Sequence, residues 1–121
     1  MREIKFRAWD NNLNQMYEIV SINFDLQFIH LDPDYCHKVK IKDIELMQYT
    51  GLKDKNGVEI YEGDMVEWSD GKLLSEVYWD QADVAFSLRC NGESWFLNDD
   101  SMLCGMEVVG NIYENHELVD K

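Results

Sequence analysis

The chain has 121 residues, enough for one domain with a modest core, and 45% of them are apolar, which argues against a disordered chain. Its net charge of −13 is uneven: residues 1–60 carry eight Lys and Arg against ten Asp and Glu, residues 61–121 only three against fourteen. That excess of acid argues against broad contact with a phosphate backbone, which needs clustered Lys and Arg. The first residues, MREIKFRAWDNN, show no apolar leader, and no apolar run approaches the ~20 residues of a membrane span. These features predict a cytoplasmic protein with no membrane contact.

Strand periodicity dominates the chain. Residues 3–9 alternate, with Ile4, Phe6 and Ala8 on one face and Glu3, Lys5 and Arg7 on the other. Asp10, Asn11 and Asn12 tolerate left-handed backbone and predict a hairpin turn into a strand at 16–20. Residues 22–31 alternate again and predict one strand with Ile22, Phe24, Leu26 and Phe28 on its buried face. A turn follows at Asp32, Pro33 and Asp34. The next strand, 38–42, places Lys38, Lys40 and Lys42 on its polar face. Residues 44–49 fit either a strand or a short helical turn.

Gly51 and the group Lys55, Asn56 and Gly57 then predict two turns, the second an Asn-Gly hairpin with both residues at positive φ. Glu62, Gly63 and Asp64 predict a third turn, followed by a strand at 65–68. A turn at 69–72, strands at 73–79, 84–89, 95–97 and 106–113, and a turn or helix cap at 98–101 complete the chain. Turns every 8–12 residues between short strands are the mark of small β-barrels and sandwiches. The expected fold is mostly β with little or no helix: a single domain in which an N-terminal β-hairpin region, 1–48, packs on an SH3-like barrel region, 49–121. Phe6, Phe24, Val66, Val77, Val84, Phe86, Val108 and Ile112 are the expected core.

Three segments carry a family pattern. They are Arg2 to Asp10, Gln48 to Asp64, and Gly110 to Asn115. The central one contains Tyr49, Gly51, Lys53, Asp54, Asn56, Gly57, Tyr61, Gly63 and Asp64. Together they resemble the YopX family of phage and prophage proteins over the whole length. The resemblance departs at His116, where family members often have Pro, and residues 21–46 and 69–105 carry no family pattern. It implies a phage or prophage setting and a compact β-rich fold. It implies no activity and supplies no catalytic residues.

Candidate chemistry is sparse. Lys53 to Gly57 lacks the order of a phosphate loop and reads better as a turn, with Asp54 accepting turn N–H bonds. Asp99 with Asp100, and Glu62 with Asp64, offer oxygen ligands without the spacing of a Ca²⁺ loop. Cys36, Cys90 and Cys104 lack zinc-site spacing and predict reduced thiols. His30, His37 and His116 belong to no catalytic motif, and His30 reads as a hydrogen-bonded structural residue. No catalytic residue, metal or cofactor is predicted. Glu67, Glu76 and Glu107 alternate outward on strands of the acidic half and predict an interface for a protein partner with a basic surface. The favoured function is therefore a non-enzymatic interaction module. The alternatives are a nucleic-acid-binding barrel, using the three lysines and an aromatic platform of Tyr49, Tyr61, Trp68, Tyr78, Trp79 and Trp95, and an enzyme whose site makes no motif.

Overall fold

Alternation along the chain is realised as strands almost everywhere. The structure, a computed structural model, describes residues 3–31, 38–68, 73–90, 92–97 and 105–115. Among these residues there is no α-helix, only one 3-10 turn at Ile41–Asp43, and no helix long and apolar enough to cross a membrane. The predicted turns at 32–34, 69–72 and 98–101 lie outside the described residues. The chain divides into two compact units, Met1–Gln48 and Tyr49–Lys121.

The first unit is an antiparallel sheet. Its strands are β1 (Phe6–Asp10), β2 (Gln15–Asn23), β3 (Phe28–Leu31), β4 (Lys38–Lys40) and the start of β5 (Ile44–Lys53), in the order β4-β3-β2-β1-β5. The predicted hairpin is present as β1 and β2, with Ala8 opposite Tyr17, but further strands extend it into a sheet. Its turn is held by Asp10, whose Oδ1 accepts the N–H groups of Asn12 (2.8 Å) and Leu13 (3.2 Å). Ala8, Ile29, Leu31 and Ile44 form the buried core of this unit, with Tyr17, Ile22 and Val39 packed against them. The segment 44–49 is strand, not helix.

One predicted strand is broken in two. Residues 24–27 form a turn between β2 and β3, and Phe24 and Leu26 stand 65% and 64% exposed. The turn is fixed by its polar residues: Leu26 N–H donates to Asn23 Oδ1 (3.0 Å) and Gln27 Nε2 donates to the Phe24 carbonyl (2.7 Å). Gln27 takes φ of 61°.

In the second unit β5 continues to Lys53 and pairs with β6 (Glu59–Tyr61). Gly51 is not a turn. It sits inside β5 at φ 88°, where the register shifts between Tyr49 and Lys53, so it marks a bulge. The remaining strands are β7 (Asp64–Trp68), β8 (Leu73–Asp80), β9 (Ala85–Cys90), β10 (Glu93–Phe96) and β11 (Glu107–Asn111). They form one sheet of order β10-β9-β8-β7-β11. β7 to β10 are a meander of consecutive hairpins, and β11 returns to the free side of β7.

The expected mostly-β fold is present, but the sheets are not closed into a barrel. Closure requires the first and last strands to pair, whereas β10 and β11 are opposite edges of an open sheet. Its core contains Ile60, Val66, Val77, Leu88, Leu97 and Met106, all buried, with Phe86 and Val108 partly buried against them. Phe6 and Ile112 are half-buried. Val84 departs from expectation: it is 68% exposed, in the turn before β9, with φ of 52°.

Candidate functional site

The loop between β5 and β6 is built around one carboxylate. Asp54 is 7% exposed, and its Oδ1 accepts the N–H groups of Asn56 (2.8 Å) and Val58 (2.9 Å). Its Oδ2 accepts the N–H of Val108 in β11 (2.9 Å). Its backbone adds two bonds, from its own N–H to the Val58 carbonyl (2.9 Å) and from Gly57 N–H to its carbonyl (3.1 Å). Lys55 N–H reaches the Met106 carbonyl (3.0 Å). Asp54 thus closes a turn and ties it to a strand far along the sequence. The predicted two-residue Asn-Gly hairpin is corrected: Gly57 has φ of 81° but Asn56 is not left-handed. A turn over 54–57 whose last residue, Gly57, is left-handed makes a longer hairpin loop than the two-residue kind.

Other residues of the family pattern also brace the fold. Thr50 Oγ1 donates to the Ile60 carbonyl (2.8 Å) and accepts Leu52 N–H (3.2 Å), bracing the bulge at Gly51. Tyr49 and Tyr61 are buried, with ring centroids 5.4 Å apart. Asp64 is 1% exposed, and its Oδ2 accepts Tyr61 N–H (2.8 Å) across the turn. Gly63, at φ 84°, donates to the Val77 carbonyl (2.8 Å) and accepts from Ile112 N–H (2.9 Å). Asn111 Oδ1 accepts the N–H groups of Tyr113 (3.0 Å) and Glu114 (2.8 Å), ordering the turn after β11. Lys53 and Asn56 remain exposed.

The acidic residues share one face. Val66, Val77 and Leu88 point into the core, so the alternate positions Glu67, Glu76, Tyr78, Arg89, Phe96 and Glu107 lie on the opposite side of the sheet. Glu67 and Glu107 are register partners on neighbouring strands. Directly opposed Cβ atoms are ~5 Å apart, so like charges there repel. No described cation forms an ion pair with either. Glu107 Oε1 accepts a bond from Asn56 Nδ2 (3.0 Å), which joins the loop to this face. Glu76 is different: its Oε2 meets Arg89 Nη2 at 3.1 Å, and the Arg89 guanidinium lies 4.0 Å from the Tyr78 ring centroid. Phe96 is 49% exposed at the edge of the same face.

The aromatic side chains form no common platform. Trp68 and Trp95 meet edge to face at 5.2 Å against the core, and Trp68 Nε1 donates to Ser75 Oγ (2.8 Å). Trp79 and Phe86 make a second edge contact at 5.0 Å. His30 Nδ1 and Ser21 Oγ lie 3.0 Å apart, a structural hydrogen bond. Among the described residues no group of three or more His, Cys, Asp or Glu could hold a metal. Cys90 is a half-buried free thiol. Cys36, Cys104, His37, His116, Asp99 and Asp100 lie outside the described residues. Sequence reasoning did not find the bond from Val108 to Asp54 or the capping role of Asn111. Only the Asp and Asn residue types hinted at either.

No curated protein matches the chain. Two solved structures are similar to it over nearly their whole length. Protein EF1440 from Enterococcus faecalis is 27% identical, with 98% of this chain and 99% of that one covered and a TM-score of 0.66. Protein yopX from Bacillus subtilis is 21% identical, with 98% of each chain covered and a TM-score of 0.61, a likeness that shows the fold. The family model described as YopX protein matches residues 5–120, which takes in the Asp54 loop, the turn at Gly63 and the Asn111 turn alike, and the chain therefore belongs to the YopX family.

Proposed function

We propose that this YopX-family chain is a non-enzymatic binding module, acting in the cytoplasm in a phage or prophage setting, whose acidic sheet face docks a basic surface on a protein partner. One observation carries the reading. Glu67 and Glu107 oppose each other in register without a described cation to compensate them, on a face that also exposes Phe96. A fold free to choose these positions gains stability by separating like charges. A basic partner would turn that repulsion into attraction, and an exposed aromatic would supply contact area.

The structure narrows the residues worth testing. Glu76 already pairs with Arg89, so Glu67 and Glu107 are the better targets. Glu67→Lys removes the repulsion and is expected to raise stability by a few tenths to about 1 kcal/mol. The same change is expected to weaken capture of basic proteins from prophage-carrying cells. Glu67 and Glu107 are half-buried and still reach solvent, and attraction between such a face and an approaching partner is screened beyond ~8 Å at physiological salt, so capture by the unaltered chain falls as salt rises. Equal capture by the variant, or capture indifferent to salt, rejects the acidic face as the interface.

A further inference from the structure

The first unit carries a surface of the opposite sign that the reading above does not use. β4 is the edge of its sheet, and three lysines punctuate it and the 3-10 turn that follows. Lys40 is the register partner of Phe28, and Lys38 Nζ lies 4.0 Å above the Phe28 ring centroid. Among the described residues neither Lys40 nor Lys42 forms an ion pair. Beside them lies an open cleft of about 190 Å³, lined by Leu26, Gln27, Phe28, Lys40 and Lys42. Its wall is the 24–27 turn, held in shape by the Asn23 and Gln27 side chains and by a bond from Ile41 N–H to the Gln27 carbonyl (3.0 Å). The turn keeps Leu26 at the cleft and Phe24 beyond it, both in solvent.

We propose that the β4 edge and this cleft are a docking site for an extended acidic segment of a partner protein, with an apolar side chain seated in the cleft. The spacing suits such a segment. Side chains on one face of a strand recur about every 7 Å, so alternate carboxylates on an added strand match Lys38 and Lys40 in repeat. Lysines on an edge strand repel a second copy of the same edge, and the same charges select an acidic one. The cleft is of a size for one large apolar group, since a cavity of ~150 Å³ takes a benzene ring. A nucleic-acid base is a poorer fit, because Lys38 already covers a face of the Phe28 ring. A membrane surface or a nucleic-acid strand also presents extended negative charge to a chain of net charge −13. A short segment engages the lysines within one Debye length and avoids most of that repulsion.

The test uses the full chain and a labelled, acetylated peptide in which Glu alternates with Leu, followed by fluorescence anisotropy. Saturable binding that weakens with salt is expected. The double variant Lys40→Glu, Lys42→Glu is expected to lose roughly tenfold or more in affinity. Leu26→Ser, an exposed position, is expected to weaken binding while leaving the melting temperature unchanged. No saturable binding overturns the proposal, as does equal binding of a peptide with Lys in place of Glu. Displacement of the peptide by oligothymidylate or by phosphatidylserine vesicles, bound more tightly than the peptide, assigns the surface to nucleic acid or lipid and also overturns it.

Discussion

Two residues show how single side chains govern this fold in opposite ways. Asp54 is satisfied: two of its bonds shape the loop and the third reaches Val108. Asp54→Ala strips acceptors from these N–H groups and is expected to cost about 2–3 kcal/mol by urea denaturation. Asp54→Asn keeps an oxygen for the loop but turns an amide donor toward Val108 N–H, so it falls between Ala and the unaltered chain. Amide exchange at Val108 is expected to accelerate in both variants; unchanged protection contradicts the assigned bond. Val84 is strained: a β-branched residue at φ 52°, 68% exposed, with little packing to justify it. Val84→Asn is expected to stabilise by roughly 1 kcal/mol, because Asn visits the left-handed region more readily. A lower melting temperature in that variant refutes the left-handed assignment.

At the level of elements, the sequence was most legible where apolar alternation had a single explanation. The stretches 65–68, 73–79 and 84–89 read as strands, and β7, β8 and β9 match them to within one residue at either end. The error at 22–31 has a physical origin. Phe24 and Leu26 continue the alternation of Ile22, yet the polar residues that flank them, Asn23 and Gln27, bond back onto a turn, and that option won. Periodicity records which residues alternate, not where the chain reverses. Phe24→Ser is therefore expected to leave the melting temperature within the error of measurement, whereas a buried Phe truncated to Ala costs ~3–5 kcal/mol. A large loss would restore the continuous strand. Gly51 was misread for a related reason, since left-handed glycine serves bulges and turns alike. Of the candidate site, the alternation of Glu67, Glu76 and Glu107 away from the core was readable, but all three are half-buried where free projection into solvent was expected. The opposition of Glu67 to Glu107 and the pairing of Glu76 with Arg89 were not readable, because register between distant strands is set by tertiary packing.

Across the whole molecule, charge is divided as the chain is. Met1–Gln48 holds six Lys and Arg against eight Asp and Glu, and Tyr49–Lys121 holds five against sixteen. Self-repulsion in the second unit opposes compaction and is relieved by counter-ions. Raising NaCl from low to physiological levels is expected to raise the urea midpoint with the slope unchanged, as the surface exposed on unfolding stays the same. An indifferent or falling midpoint shows that the carboxylates are already compensated within the fold.

The return of β11 to β7 has a consequence in time. The meander from β7 to β10 consists of neighbours that can pair as they leave the ribosome, but its β7 flank stays open until residues 107–111 follow. Until then the N–H groups and carbonyls along that side of β7 lack their strand, and Asp54 lacks the amide of Val108. An uncovered strand flank is an invitation to pair with a neighbouring chain. The arrival of β11 is thus what ends the nascent unit's exposure to its own kind.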